Sequence, residues 1–137
     1  MVEIRKPIIT VTGITGYIGS QVGFEVLKSE NYKLRGTTRD LNSDKIDALR
    51  KLFGSDFDEV ELKEADLLNP ESIMNAIAGS TFVIHVASPY IISEPKDPQT
   101  IIRPAVEGTL SVLRACRAAG VRRVSITSAL VTTDIRN

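Results

Sequence analysis

The chain reads as an α/β protein built on a doubly wound parallel sheet, and three observations carry that reading. Short β-branched runs recur between amphipathic stretches in one unchanging order, as parallel strands joined by crossover helices require. The runs are nearly continuous in apolar or β-branched residues, which suits strands buried on both faces. A glycine-rich turn, Gly13 to Gly19, stands between the first run and its helix. With 137 residues the chain suits one domain, taken as 1–129, followed by a tail over 130–137.

Ile8 to Thr12 forms the first strand and stops at Gly13. From Gly16 to Ser29, Ile18, Val22, Val26 and Leu27 recur at helical spacing, with Asn31 as a stop. Lys33 to Thr38 is the second strand. The polar segment Arg39 to Asp44 follows, and Ile46, Leu49 and Phe53 then mark a helical face capped by Ser43 or Asp44. Val60 to Ala65 alternates as a third strand. Asn69, Pro70 and Glu71 come in the order a helix start favours: a capping side chain, a proline whose missing N–H is harmless in the first turn, and an acid at the positive end of the dipole. Ile73 and Ile77 supply that helix's buried stripe. Phe82 to Ala87 is a fourth strand, apolar enough for the middle of a sheet.

Residues 89–103 contain Pro89, Pro95 and Pro98 and lack a steady period, so they read as a long loop in which Tyr90, Ile91 and Ile92 offer an apolar wall. Pro104 is expected to open the last helix, which runs through Val106, Leu110, Leu113 and Cys116 and ends at Gly120. Arg123 to Thr127 is the fifth strand. Right-handed crossovers then give the order 3-2-1-4-5, and ligands belong at the carboxyl ends of strands one and four, where the order reverses.

Composition narrows the function. Seventeen Lys and Arg balance seventeen Asp and Glu, so no global field draws the chain to nucleic acid or to an anionic bilayer. No stretch is long and apolar enough to span a membrane, and no secretory core is visible near Met1. Cys116 is the only cysteine, which rules out an intrachain disulfide and a thiolate metal site. A cytoplasmic protein without a metal is expected.

The chemistry concentrates in Thr12-Gly13-Ile14-Thr15-Gly16-Tyr17-Ile18-Gly19. Gly13 permits the tight turn, Gly16 lets the backbone approach a pyrophosphate, and Gly19 lets helix and strand pack closely, while the helix's first amides face the phosphate. A turn that merely uses glycine is the bland alternative; the strand before and the helix after weigh against it. Arg39 lies about twenty residues past Gly19, where an acidic side chain would hold an NAD ribose. A guanidinium there suits a 2′-phosphate and Lys45 adds a point charge, so NADP(H) is preferred over NAD(H). Otherwise Arg39 is a solvated turn residue partly neutralised by Asp40, and Lys45 lies on an exposed helix face.

The glycine run resembles that of the short-chain dehydrogenases/reductases, in particular their extended, epimerase/dehydratase-like branch. Supporting segments are Thr38-Arg39-Asp40, Ala65-Asp66-Leu67, His85-Val86-Ala87-Ser88-Pro89 and Pro104-Ala105-Val106-Glu107-Gly108-Thr109, continuing through Val112 to Cys116. Together they are similar to the dihydroflavonol reductase and cinnamoyl-CoA reductase group, over residues 8–129. The resemblance implies a Rossmann-like, NAD(P)-binding N-terminal part of an oxidoreductase. It implies cofactor contacts from Gly13, Thr15, Gly16, Tyr17, Ile18 and Gly19, from Arg39 and Lys45, from Asp66 and Leu67 at the adenine, and from Val86, Ala87, Ser88 and Thr127 toward the nicotinamide ribose. Asp66 is otherwise a turn residue before Asn69.

His85 titrates near neutrality, but no partner arrangement surrounds it in sequence and the resembling family packs this position, so a core role is expected. Cys116 is expected to be a small core residue, and Arg114, Arg117, Arg122 and Arg123 a solvated face near a helix C-terminus.

The resembling enzymes reduce a carbonyl with a serine, a proton-donating tyrosine and a lysine, the last two as Tyr-x-x-x-Lys. Four residues after Tyr17, Tyr32 and Tyr90 stand Gln21, Gly36 and Glu94, so these 137 residues lack that pair. Where the family reads Thr-Ser-Ser, this chain reads Thr127-Ser128-Ala129; the acting serine aligns with Ala129, or with Ser128 if the register shifts by one. The chain as given is therefore expected to be an inactive cofactor-binding part of an NADP-dependent carbonyl reductase, completed by a C-terminal lobe or a protein partner. Two alternatives stay open: a non-catalytic dinucleotide-binding or structural subunit, and half of a nucleotide-sugar epimerase or dehydratase.

Overall fold

The computed structural model describes residues 4–88 and 96–129. Five parallel strands form one sheet: β1 (Ile8–Thr12), β2 (Lys33–Thr38), β3 (Glu61–Glu64), β4 (Phe82–His85) and β5 (Arg123–Ile126), in the order β3-β2-β1-β4-β5. Helices α1 (Tyr17–Lys28), α2 (Asp44–Phe53), α3 (Pro70–Ile77) and α4 (Gln99–Ala118) connect them. This is the Rossmann-like doubly wound sheet expected from the sequence, in the expected order.

Alternation along each strand divides the apolar side chains between two layers. Ile9, Val11 and Leu34 pack with Val26 of α1 and with Leu49 and Phe53 of α2. Val83 packs on the opposite side with Ile73, Ala76 and Ile77 of α3 and with Val112, Ala115 and Cys116 of α4. Cys116 is thus a core residue, and burial pushes its thiol pKa up. Among the described residues no helix is long and apolar enough to cross a membrane, and no cluster of His, Cys, Asp or Glu could hold a metal ion.

The helix starts follow local chemistry. Ser43 caps α2 by accepting the Lys45 amide at 3.3 Å, and Asn69 caps α3 by accepting the Ser72 amide at 3.2 Å, with Pro70 in the first turn. At the end of α4, Gly120 has φ +69° and Val121 N–H donates to Cys116 O at 3.0 Å, so the helix closes where the sequence places its stop.

Two elements differ from the expectation. Helix α4 begins at Gln99 rather than at Pro104. The Asp97 carboxylate accepts the Gln99 amide at 2.9 Å and its carbonyl accepts the Thr100 hydroxyl at 2.7 Å, which starts the helix a turn early. Pro104 then sits inside it and forgoes one bond. A 3₁₀ segment, Gly54–Glu59, which the sequence did not announce, fills the connection from α2 to β3. The rest of the expected loop at 89–95, with Tyr90, Ile91 and Ile92, and the tail over 130–137 lie outside the described residues.

Arg35 explains how polar groups survive inside the sheet. This buried β2 side chain donates from Nε to Glu61 Oε2 at 3.0 Å, and from Nη1 to the carbonyls of Ala76 at 2.9 Å and Ala78 at 2.6 Å. It thereby satisfies carbonyls at the C-terminal end of α3, where the helix dipole favours a cation.

Candidate cofactor site

At the carboxyl end of β1 the chain turns sharply. Gly13 has φ +70°, and a Cβ placed there would lie 2.9 Å from the Ala87 Cα, so both the conformation and the close approach demand glycine. Gly16 N–H donates to Gly13 O at 3.1 Å and closes the turn. The turn is anchored to β2 as well: Ile14 N–H donates to Thr37 O at 3.1 Å, and Gly13 N–H to Thr37 Oγ1 at 3.3 Å. A Cβ at Gly19 would lie 2.8 Å from the Gly13 carbonyl carbon, so only glycine lets α1 start against this turn.

Helix α1 then opens toward the sheet's carboxyl edge without a capping side chain and without an acid in its first turn. Among the described residues the amides of Tyr17, Ile18 and Gly19 have no acceptor. Donors at the positive end of a dipole, behind a turn with glycine at residues 13 and 16, suit an anion. Thr15 is half-buried beside them, and Tyr17 and Ile18 are exposed, Tyr17 by 95%.

Arg39 and Lys45 are both exposed past the end of β2, and neither has an ion pair among the described residues. Asp40 does not pair with Arg39: its Oδ1 accepts the Asn42 amide at 2.8 Å, while the Thr38 hydroxyl donates to its carbonyl at 3.3 Å. The adjacent acid is thus tied into its own turn.

Past β3, Asp66 Oδ1 accepts the Leu68 amide at 2.9 Å, which forms a tight turn. Leu67 is half-buried against α4, where a Cβ at Gly108 would stand 3.0 Å from the Leu67 Cβ. At the ends of β4 and β5, Val86 and Ala87 are half-buried, whereas Ser88, Thr127 and Ser128 are exposed. Thr127 N–H donates to His85 O at 3.0 Å, continuing the parallel pairing beyond β5. Of the residues singled out as cofactor contacts, Gly13, Thr15, Gly16, Arg39, Asp66, Leu67, Val86, Ala87, Ser88 and Thr127 lie in the segments that follow the carboxyl ends of the strands, whereas Tyr17, Ile18 and Gly19 lie in the first turn of α1 and Lys45 in the first turn of α2.

Several contributors escaped the sequence reading. The Thr12 hydroxyl accepts the amides of Val86 at 3.0 Å and Ala87 at 3.1 Å, and lies 2.7 Å from His85 Nδ1. It fastens β1 to the segment leaving β4. His85 is buried, as a core residue should be, but its ring has this polar partner; burial pushes its pKa down from the usual value. Thr37 anchors the glycine turn, and Gly36 makes room for Ile14, whose Cγ2 would lie 2.6 Å from a Cβ there. A glycine inside a strand signals such close approach, so Gly36 was open to discovery.

Residues 9–133 match the model of the NAD dependent epimerase/dehydratase family. The chain is 40% identical over 131 residues to tetraketide alpha-pyrone reductase 1 of Arabidopsis thaliana, covering 94% of this chain and 40% of that protein. It is 37% identical over 133 residues to dihydroflavonol 4-reductase of Hordeum vulgare, covering 96% of this chain and 37% of that protein. Among solved structures, vestitone reductase from alfalfa (Medicago sativa L.) superposes with a TM-score of 0.69 at 31% identity, over 90% of this chain and 36% of that one. The chain therefore spans well under half the length of these relatives.

Proposed function

The chain belongs to the NAD dependent epimerase/dehydratase family, and we propose that it is the NADP(H)-binding part of a carbonyl reductase. The observation that carries this reading is the turn from Gly13 to Gly19, which admits no side chain at Gly13 or Gly19 and leaves the first amides of α1 without acceptors among the described residues. Those amides, with Gly16, would hold the pyrophosphate. Arg39 would clamp the 2′-phosphate and Lys45 would add charge, while Asp66 and Leu67 would bound the adenine. Val86, Ala87, Ser88 and Thr127 would line the path toward the nicotinamide ribose. When bound, the nicotinamide supplies the hydride chemistry; this stretch of chain supplies placement.

The names of the relatives, a tetraketide alpha-pyrone reductase and a dihydroflavonol 4-reductase, support a carbonyl substrate over a nucleotide sugar. The proton that a reduced carbonyl requires would come from a residue outside these 137, since no tyrosine here has a lysine four residues on. The serine that orients the carbonyl in the family aligns with Ala129, and Ser128 would take that role if the register shifts by one. By itself, then, the chain binds cofactor and does not turn over.

Calorimetric titration with NADPH and with NADH tests the reading. NADPH should bind more tightly, and Arg39→Ala should reduce that preference by about 10- to 100-fold, the worth of charge-assisted phosphate contacts. No binding of either dinucleotide to a folded chain would end it.

A further inference from the structure

We propose that His85 is a positioning residue for the dinucleotide: its neutral ring accepts the Thr12 hydroxyl proton and so fixes the end of β4 against the phosphate-binding turn. The inference rests on the cofactor-binding reading above and adds to it a pH dependence and a residue that touches no ligand.

The argument is one of donors and acceptors. A threonine hydroxyl has one proton to give and two lone pairs to receive with. Both lone pairs of Thr12 Oγ1 are taken, by the amides of Val86 at 3.0 Å and Ala87 at 3.1 Å. The 2.7 Å contact to His85 Nδ1 is therefore a hydrogen bond donated by Thr12 to an unprotonated nitrogen, and the ring carries its proton on Nε2. Protonating Nδ1 sets a donor against an oxygen with no acceptor capacity left. Either the contact opens or one of the two amides is displaced.

Displacement would reach the cofactor turn directly. The Ala87 Cα forms the wall against Gly13, close enough that a Cβ on Gly13 would lie 2.9 Å away. Thr12 immediately precedes Gly13, so the same hydroxyl ties both sides of the crevice. The surroundings favour the neutral ring: His85 is 4% exposed, and burial depresses its pKa. Among the described residues, β1 carries no ionisable side chain. Arg123 on β5, Glu71 on α3, and Arg103, Glu107, Arg114 and Arg117 on α4 are all exposed. Arg35 spends its donors on Glu61 and the end of α3, and buried Cys116 belongs to the core around Val83. Among the described residues Thr12 is the side chain hydrogen-bonded to the ring.

His85 is the chain's only histidine, so its ring nitrogens can be followed by long-range proton–nitrogen NMR without assignment ambiguity. The Nε2–H form should dominate at neutral pH, with a titration midpoint below 6.5. NADPH affinity is then measured from neutral to mildly acidic pH for the chain, for His85→Asn and for His85→Leu, each checked for native circular dichroism. Asparagine places an acceptor oxygen near the Nδ1 position and does not titrate. It should bind within about threefold of the parent at neutral pH, whereas leucine, which leaves the hydroxyl proton unpaired, should bind about tenfold more weakly.

The ligand's own 2′-phosphate titrates near pH 6 and weakens binding in both cases. The parent should lose affinity on acidification beyond the loss shared with His85→Asn. An Nδ1–H ring, coincident pH profiles for the parent and His85→Asn, or undiminished binding by His85→Leu would each overturn the proposal while leaving cofactor binding intact. Failure of NADPH to bind the parent at neutral pH would overturn both readings.

Discussion

Gly36→Ala tests the packing beneath the phosphate turn. Ile14 is fully buried, and a methyl group at residue 36 would lie 2.6 Å from its Cγ2 and 2.8 Å from its Cβ. Carbon atoms prefer about 3.5–4.0 Å, so roughly 1 Å of movement is needed. Strand β2 cannot supply it, because Gly36 is registered with Val11 on one side and Leu62 on the other. On the α1 side the Ile14 Cδ1 already packs where Gly23 carries no side chain, 3.1 Å from the position a Cβ would take there. Overpacking of this severity costs about 3 kcal/mol. Replacing glycine within a strand returns about 0.5–1 kcal/mol, leaving a net loss of about 2 kcal/mol. Ile14→Ala alone costs about 2–5 kcal/mol by emptying the same space. In the double variant the new methyl partly fills that space, so the combined loss should fall about 1–2 kcal/mol short of the sum. Urea denaturation followed by circular dichroism measures all four corners of the cycle. A loss under about 0.5 kcal/mol for Gly36→Ala, or strict additivity, would refute the reasoning.

Other perturbations follow from the polar interior. Arg35→Met removes a buried cation that serves Glu61 and the carbonyls of Ala76 and Ala78, and should cost about 3 kcal/mol in thermal or chemical denaturation; a loss below about 1 kcal/mol would count against it. Burial raises the Glu61 carboxyl pKa, but the hydrogen bond and charge of Arg35, with Lys33 and Lys63, outweigh it and hold the pKa below 4.5. A lowered folded pKa gives stability that is complete above the unfolded value and is lost as pH falls through the folded one. Acidification below 4.5 should therefore destabilise the parent, and Glu61→Gln should lack that part of the slope. Cys116, buried and with its thiol pKa raised, should resist a thiol reagent at neutral pH in the native chain and react once urea unfolds it; rapid native labelling would contradict the core placement.

What was legible in the sequence was whatever is encoded locally. Strand runs, helical stripes, the cap at Asn69 and the stop at Gly120 each depend on residues within a turn of one another, and the crossover rule converts them into a sheet order. The glycine turn was legible for the same reason. The early start of α4 was hidden because Asp97, whose carboxylate accepts the helix's first amide, stands before Pro98 at the cap position, and Pro104 offered a more conventional opening. The functions of Thr12, Thr37 and Arg35 were hidden for a different reason. Each acts on a partner far along the chain, His85 for Thr12, Gly13 for Thr37 and the end of α3 for Arg35. In sequence all three read only as ordinary strand residues, and neither periodicity nor propensity distinguishes a hydroxyl that bonds across the sheet from one that does not.

Hydrocarbon packs on both faces of the sheet, and one face adds a layer of buried polar groups. On the α1 and α2 side, Ile9, Val11 and Leu34 meet apolar side chains, and the gain is the burial of hydrocarbon. On the opposite side, beside the hydrocarbon core around Val83, strands β1, β2 and β4 also present Thr10, Thr12, Arg35, Thr37 and His85, all buried. Their hydrogen bonds link strand to strand and strand to loop: Thr10 to Ser80 at 2.6 Å, Arg35 to Ser80 at 3.4 Å, Thr12 to His85 at 2.7 Å and Thr37 to Gly13 at 3.3 Å. Among the described residues no buried side-chain nitrogen or oxygen lacks a partner, so this layer avoids the cost of unpaired polar groups. Hydrocarbon contacts tolerate sliding by a fraction of an ångström, whereas a hydrogen bond weakens steeply when its geometry is lost. A site that works by placing amides around an anion needs the second kind of constraint, and the polar layer supplies it where β1 and β4 diverge.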